Sequence, residues 1–186
     1  MRIVGGRLGG RPLAGPTPGI GSIRPTSDRL RESLFNVLAH AYGDAIEGAR
    51  VLDLFAGTGA LGLEALSRGA ASAVFVDSDR VAAETVIRNL GKLDLAGARV
   101  YREDVGRRLS TDAASGRRYD LVLVDPPYRM LSKFLPVLVT HLPSVLAPDG
   151  LVVVESEAKE EPDLPLPLRT SRRYGSTRVS LFEGTK

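Results

Sequence analysis

The sequence predicts an α/β domain, a doubly wound and mostly parallel sheet with helices on both faces. Three observations carry this. From Arg50 onward, short β-branched runs alternate with stretches of helical periodicity. The runs are apolar along their whole length, as strands covered on both faces are. The first of them leads directly into a glycine loop, "DLFAGTGALGLEAL", which opens a helix. With 186 residues, 43% of them hydrophobic, the chain has the length and the apolar content for one such domain with a sizeable core.

The elements follow in order. Residues 1–24, "MRIVGGRLGGRPLAGPTPGIGSIR", are short apolar steps broken by Gly-Gly pairs and prolines, which predicts a hairpin or loose arm ahead of the domain. A helix is expected from Asp28 to Ala41, with Leu30, Leu34, Val37, Leu38 and Ala41 on one stripe and Thr26 or Ser27 as its cap. Val51–Leu54 is the first strand. A helix through Leu61, Leu63, Leu66 and Ser67 ends at Gly69, where glycine suits a helix stop. Ala73–Val76 is the second strand, followed by a helix carrying Val81, Val86, Ile87 and Leu90. A third strand lies around 99–101, "DLVLVD" is the fourth, a helix covers about 133–142, and "GLVVVESE" is the fifth strand. "PLRTSRRYG" and "STRVSLFE" read as two more strands about a turn, a closing antiparallel pair that brings the total to seven. The division is a basic arm at 1–25 and a catalytic domain at 26–186.

Composition excludes several chemistries. With no cysteine, disulfides, Cys-ligated zinc, iron–sulfur clusters and thiolate nucleophiles are ruled out. His40 and His141 stand alone without ligand spacing, so no metal is expected. No apolar stretch is long enough to span a bilayer and no signal segment opens the chain, which leads us to expect a cytoplasmic protein. The charge is segregated. Residues 1–31 hold Arg2, Arg7, Arg11, Arg24, Arg29 and Arg31 against Asp28, and residues 169–178 hold Arg169, Arg172, Arg173 and Arg178 with no acid. Taking these blocks of +5 and +4 from the net +3 leaves −6 for the rest, an asymmetry suited to a polyanion. The preference for arginine over lysine favours bidentate phosphate contacts and stacking on bases.

In an open α/β sheet, ligands sit beyond the carboxyl ends of the strands. Four of those ends are chemically unusual. Gly57, Gly59 and Gly62 fit G-x-G-x-x-G, and Asp53 stands just ahead of them. An anion there repels a pyrophosphate and holds a cationic, amine-bearing ligand. Asp77, about 20 residues past the glycine loop, is placed to accept ribose hydroxyls, which fits both NAD and S-adenosylmethionine. Asp104 has two readings, an acceptor for an adenine amine with Val105 beside the ring, and a helix N-cap. The fourth is "DPPY": two prolines hold the backbone out of a helical ladder, so that the Asp125 carboxylate and the Pro126 carbonyl can grip an exocyclic amine, and Tyr128 offers a stacking face.

"DLFAGTGALGLEALSRGA" is similar to the cofactor loop of S-adenosylmethionine-dependent methyltransferases, and "DPPY" to their amine-methylating signature. Together with "RPTSDRLRESLFNVL" ahead of them and "YGSTRVSLFE" at the end, they make the chain resemble the RsmD family over nearly its whole length. That family methylates the N2 amine of one guanine in 16S ribosomal RNA. The resemblance implies a Rossmann-like class I methyltransferase fold and a cofactor, S-adenosyl-L-methionine, that leaves as S-adenosyl-L-homocysteine. It implies cofactor contacts from Asp53, Phe55, Ala56, Gly57, Gly59, Asp77, Ser78, Asp104, Val105 and Asp125, and a catalytic set of Asp125, Pro126 and Tyr128. Arg2, Arg7, Arg11, Arg24, Arg29, Arg31, Arg172 and Arg173 become the candidates for RNA contacts. The implied partner is 16S rRNA within a partly or fully assembled small subunit, with the enzyme a monomer. Asp77 departs from the pattern, since glutamate is expected there at least as often, and its shorter arm changes the reach to the ribose. The alternatives are a DNA adenine-N6 methyltransferase, for which the chain has no room for a target-recognition domain; an NAD-dependent oxidoreductase, which gives "DPPY" no task; and a non-catalytic RNA-binding module, which needs no cofactor pocket.

Overall fold

In the computed structural model of the chain, residues 1–15, 27–41, 46–127 and 130–185 are described, without the side chains of His40 and Ala41. The predicted elements are present. In chain order they are α1 (Asp28–Ala41), β1 (Arg50–Leu54), α2 (Ala60–Ser67), β2 (Ser72–Asp77), α3 (Arg80–Leu93), β3 (Ala98–Arg102), α4 (Val105–Ala114), β4 (Tyr119–Val124), α5 (Leu131–Val145), β5 (Leu146–Glu157), β6 (Leu168–Tyr174) and β7 (Thr177–Glu183). The seven strands form one sheet in the order β3-β2-β1-β4-β5-β7-β6. β1 to β5 are parallel, and β7 enters antiparallel between β5 and β6. The reversal of strand order between β1 and β4 puts the crevice at their carboxyl ends.

Alternation along the strands divides the core in two. Leu52, Leu54, Val122, Val124, Val152 and Val154 pack on one face beneath α4 and α5. Val51, Leu121, Leu123, Leu151 and Val153 pack on the other, with α1 and α2. Some expectations shift. Ile87 is 58% exposed, because the buried stripe of α3 runs through Ala82, Thr85, Val86 and Asn89. β5 starts four residues before "GLVVVESE", and its pairing with β4 slips between Tyr119 and Leu121, next to Asp149 with φ of 58°.

Residues 1–15 form the hairpin of the two readings, and the hairpin is part of the core. Arg2 pairs with Pro12, Ile3 N–H donates to the Arg11 carbonyl at 2.9 Å, and Ile3 and Leu13 are buried. The Glu64 carboxylate on α2, itself fully buried, accepts from Val4 N and Gly5 N at 2.8 Å each. Ser67 accepts from Leu8 N and donates to the Gly5 carbonyl. Asn89 on α3 accepts from Ala14 N at 2.7 Å and donates to the carbonyls of Ala14 and of Thr58 in the glycine loop. Gly6 has to be glycine: its φ is 70°, and a Cβ there would lie 2.0 Å from the Ser67 carbonyl oxygen.

Candidate active site

The site grows from the turn after β1. Phe55 has φ of 61°, unusual outside glycine, and Gly57 and Gly59 follow in the same left-handed region. The chain thereby doubles back and starts α2 from Gly59, with the loop's N–H groups at the sheet edge. Gly57 N–H donates to Asp77 Oδ2 at 2.8 Å, and Ala56 N–H donates to the Val76 carbonyl. The third glycine serves packing: a Cβ on Gly62 would lie 2.4 Å from the Phe75 ring and 2.9 Å from Asp53 Oδ2. Its N–H donates to that same Asp53 oxygen at 2.9 Å, tying α2 to β1.

Three carboxylates converge here. Asp53 is almost completely buried. Loss of hydration pushes its pKa well above the ordinary carboxylate value, and the neighbouring charges of Asp125 and Asp77 push the same way, against the Gly62 N–H. Asp77 is raised as well, by burial, with the N–H groups of Asp79 and Gly57 opposing. A cluster of reluctant anions around one space lowers its own energy when a cation enters. That space is a cavity of about 1330 Å³, lined by Asp53, Phe55, Ala56, Gly57, Asp77, Ser78, Asp104, Val105, Asp125 and Pro126 among others. Gly59 shapes the loop without lining the cavity. Asp104 is the N-cap of α4, accepting from Arg107 N at 3.1 Å, and also faces the cavity.

Some lining residues escaped the sequence reading. Phe134 on α5 meets Phe55 edge to face, ring centres 4.6 Å apart, and no local motif marks it. Glu155 lies inside β5, just past its last pair with β4, so the strand-end rule missed it: that rule points to Glu157, where β5 stops. Tyr128 and Arg24 lie outside the described residues.

The basic residues separate. Arg7 and Arg11 are exposed on the hairpin, Arg29 is exposed at the cavity, and Arg172 and Arg173 are exposed on β6. Arg2 is exposed and pairs with Asp28 at 3.5 Å. Arg31 is corrected: it is fully buried beneath the hairpin, donating to the Arg2 carbonyl and to Asp28, with Glu64 at 3.6 Å. Charge counting placed it on the polyanion surface, but its guanidinium is spent inside the fold. Among the described residues no group of His, Asp and Glu could hold a metal ion, and no helix is long and apolar enough to cross a membrane.

Known proteins resemble this chain along most of its length. The model of the family described as Conserved hypothetical protein 95 matches residues 1–183. Ribosomal RNA small subunit methyltransferase D of Escherichia coli (strain K12) is 42% identical over 161 residues, 86% of this chain and 76% of that protein. YlbH of Bacillus subtilis (strain 168), named provisionally as an rRNA methyltransferase, is 38% identical over 98% of both chains. A solved Escherichia coli structure, provisionally called a methyltransferase, superposes with a TM-score of 0.83 at 37% identity, covering 100% of this chain and 98% of that one.

Proposed function

We propose methyl transfer to small-subunit ribosomal RNA for this chain, on the premise that it belongs to the family described as Conserved hypothetical protein 95. The methyl donor is S-adenosyl-L-methionine and the acceptor is the N2 amine of a guanine in 16S rRNA. The observation that carries the reading is the convergence of Asp53, Asp77 and Asp125 on one cavity beside the glycine loop. Such a wall suits a ligand bearing a sulfonium and an ammonium, and disfavours a dinucleotide pyrophosphate.

The residues divide the work. Asp77, held by Gly57 N–H, presents its carboxylate to ribose hydroxyls. Phe55, Val105 and Phe134 give an apolar wall for adenine. Asp53 and the loop face the amino-acid end of the donor. When bound, the donor supplies an electrophilic methyl group on sulfur. Asp125 and the Pro126 carbonyl accept hydrogen bonds from the two N2 hydrogens, drawing the nitrogen lone pair out of conjugation and stabilising the positive charge that develops on it. Transfer of that methyl group to the nitrogen would leave one N2 proton in surplus, and Asp125 accepts it and passes it to water. Tyr128 stacks on the base once it has left the helix stack, and the rest of the rate comes from positioning. Arg7, Arg11, Arg29, Arg172 and Arg173 bind backbone phosphates.

The test is labelled S-adenosylmethionine with small subunits, or with naked 16S RNA, from cells lacking the modification, and mapping by nuclease digestion and mass spectrometry. N2-methylguanosine at one site is the expected product. Asp125→Ala should lower turnover far more than it lowers S-adenosyl-L-homocysteine affinity; near-normal turnover in that variant would overturn the role of Asp125.

A further inference from the structure

β5 supplies, at the point where its pairing with β4 stops, a group that this mechanism leaves unused. β4 and β5 are parallel, and Val124 opposite Val154 is their last registered pair. The next residues, Asp125 and Glu155, are therefore neighbours at an interstrand spacing of about 4.8 Å, Asp125 just past the end of β4 and Glu155 still in β5, where it pairs with Val179 of β7. They also fall on one face. Val124 and Val154 belong to one core layer and Leu123 and Val153 to the other, so alternation puts Asp125 and Glu155 with the latter pair, as it does Asp53. Both carboxylates line the same cavity. β5 stands on the side of β4 away from β1, so Asp125 separates Glu155 from the glycine loop. Tyr174 and Thr177 of the last hairpin and Ser33 of α1 close that half of the cavity, and Ser33 and Tyr174 are joined at 3.1 Å.

Two neighbouring ionised carboxylates present acceptors alone, so the base that complements them is one that sets two hydrogen-bond donors side by side. The four bases differ on this point. Guanine presents N1–H directly beside its N2 amine. Adenine and cytosine present an amine beside an acceptor, and uracil presents one N–H between two carbonyls. Only guanine matches two neighbouring acceptors.

Resting on the methyl transfer proposed above, we infer that Glu155 reads the target base: its carboxylate accepts N1–H of the guanine whose N2 amine is held by Asp125 and Pro126. Glu155 is thus a specificity-determining residue that selects guanine and presents its amine to the donor side of the cavity.

The test is a base-analogue swap. 16S RNA carrying guanine or 2-aminopurine at the mapped position, joined by splinted ligation and reconstituted into subunits, is methylated by the wild-type protein and by Glu155→Gln. 2-Aminopurine keeps the N2 amine but has a lone pair at N1. The wild-type protein should prefer guanine by roughly 10- to 100-fold in kcat/KM, the usual worth of one base-reading pair. Glu155→Gln, whose amide can either accept N1–H or donate to the N1 lone pair, should lose this preference and use 2-aminopurine within about threefold of guanine. Equal losses on both bases, with the wild-type ratio unchanged, would overturn the inference and leave Glu155 a structural residue. Equal use of both bases by the wild-type protein would overturn it without any variant. Absence of methylation on either RNA would instead overturn the proposed function itself, and the two failures are distinguishable.

Discussion

Glu64→Gln perturbs one atom and should loosen the hairpin. The Glu64 carboxylate is fully buried, accepts from Val4 N, Gly5 N and Arg68 Nε at 2.8 Å each, and stands 3.6 Å from Arg31 Nε. An amide in its place turns one oxygen into a donor that faces another donor, and removes the negative charge from a buried guanidinium. Hydrogen bonds to a charged group are worth about 1.5–3 kcal/mol each, and breaking a buried ion pair from one side costs about 3–5 kcal/mol. Arg31 keeps Asp28 and the Arg2 carbonyl, so the total stays near the second range, about 3–5 kcal/mol. For a chain of this size that is a fall in Tm of roughly 6–20 °C. Calorimetry reads the fall, and trypsin reads its location, because the Arg7–Leu8 bond lies on the hairpin and should be cut at least about 10²-fold faster if opening is local. A loss under about 1 kcal/mol with unchanged cleavage would refute the reasoning, and would leave the burial of Ile3 and Leu13 as the hairpin's main anchor.

Three further outcomes follow from the same geometry. Gly62→Ala puts a Cβ into the Phe75 ring and Asp53, so overpacking of about 1–3 kcal/mol should outweigh the gain in helix propensity of up to about 1 kcal/mol, with a lower Tm and weaker binding of S-adenosylhomocysteine. Asp53, raised by burial, holds its proton longer folded than unfolded; stability therefore falls as pH rises from the ordinary carboxylate value through the raised one, and Asp53→Asn should flatten part of that fall in a Tm-against-pH series while weakening S-adenosylmethionine more than its uncharged-sulfur product. Replacing Arg7 and Arg11 with Gln should reduce the slope of log K against log salt for RNA by about 1.4–1.8, two phosphate contacts, with cofactor affinity unchanged; an identical slope would make both arginines mere solvated surface.

The sequence by itself determined the strands, their parallel order up to β5, the glycine loop and the carboxylates at four strand ends. These are short-range signals: an apolar run of length five, a glycine where φ must be positive, a charge where hydrophobicity stops. The half of the cavity beside the glycine loop was legible for that reason, down to Asp53, Asp77 and Asp125. Only the tertiary structure decided what touches across long separations. Arg31 and Arg29 are two residues apart on α1 and look alike in a charge count, yet one faces the core beneath the hairpin and the other the cavity. Glu64 sits in a helix read from its leucines and buried along its whole length, and its partners Val4 and Gly5 are about sixty residues away. Asn89 joins the hairpin to the glycine loop through Ala14 and Thr58, and Phe134 reaches Phe55 from α5. Each of these roles depends on which helix face meets which loop, a matter of packing between elements that no local pattern carries.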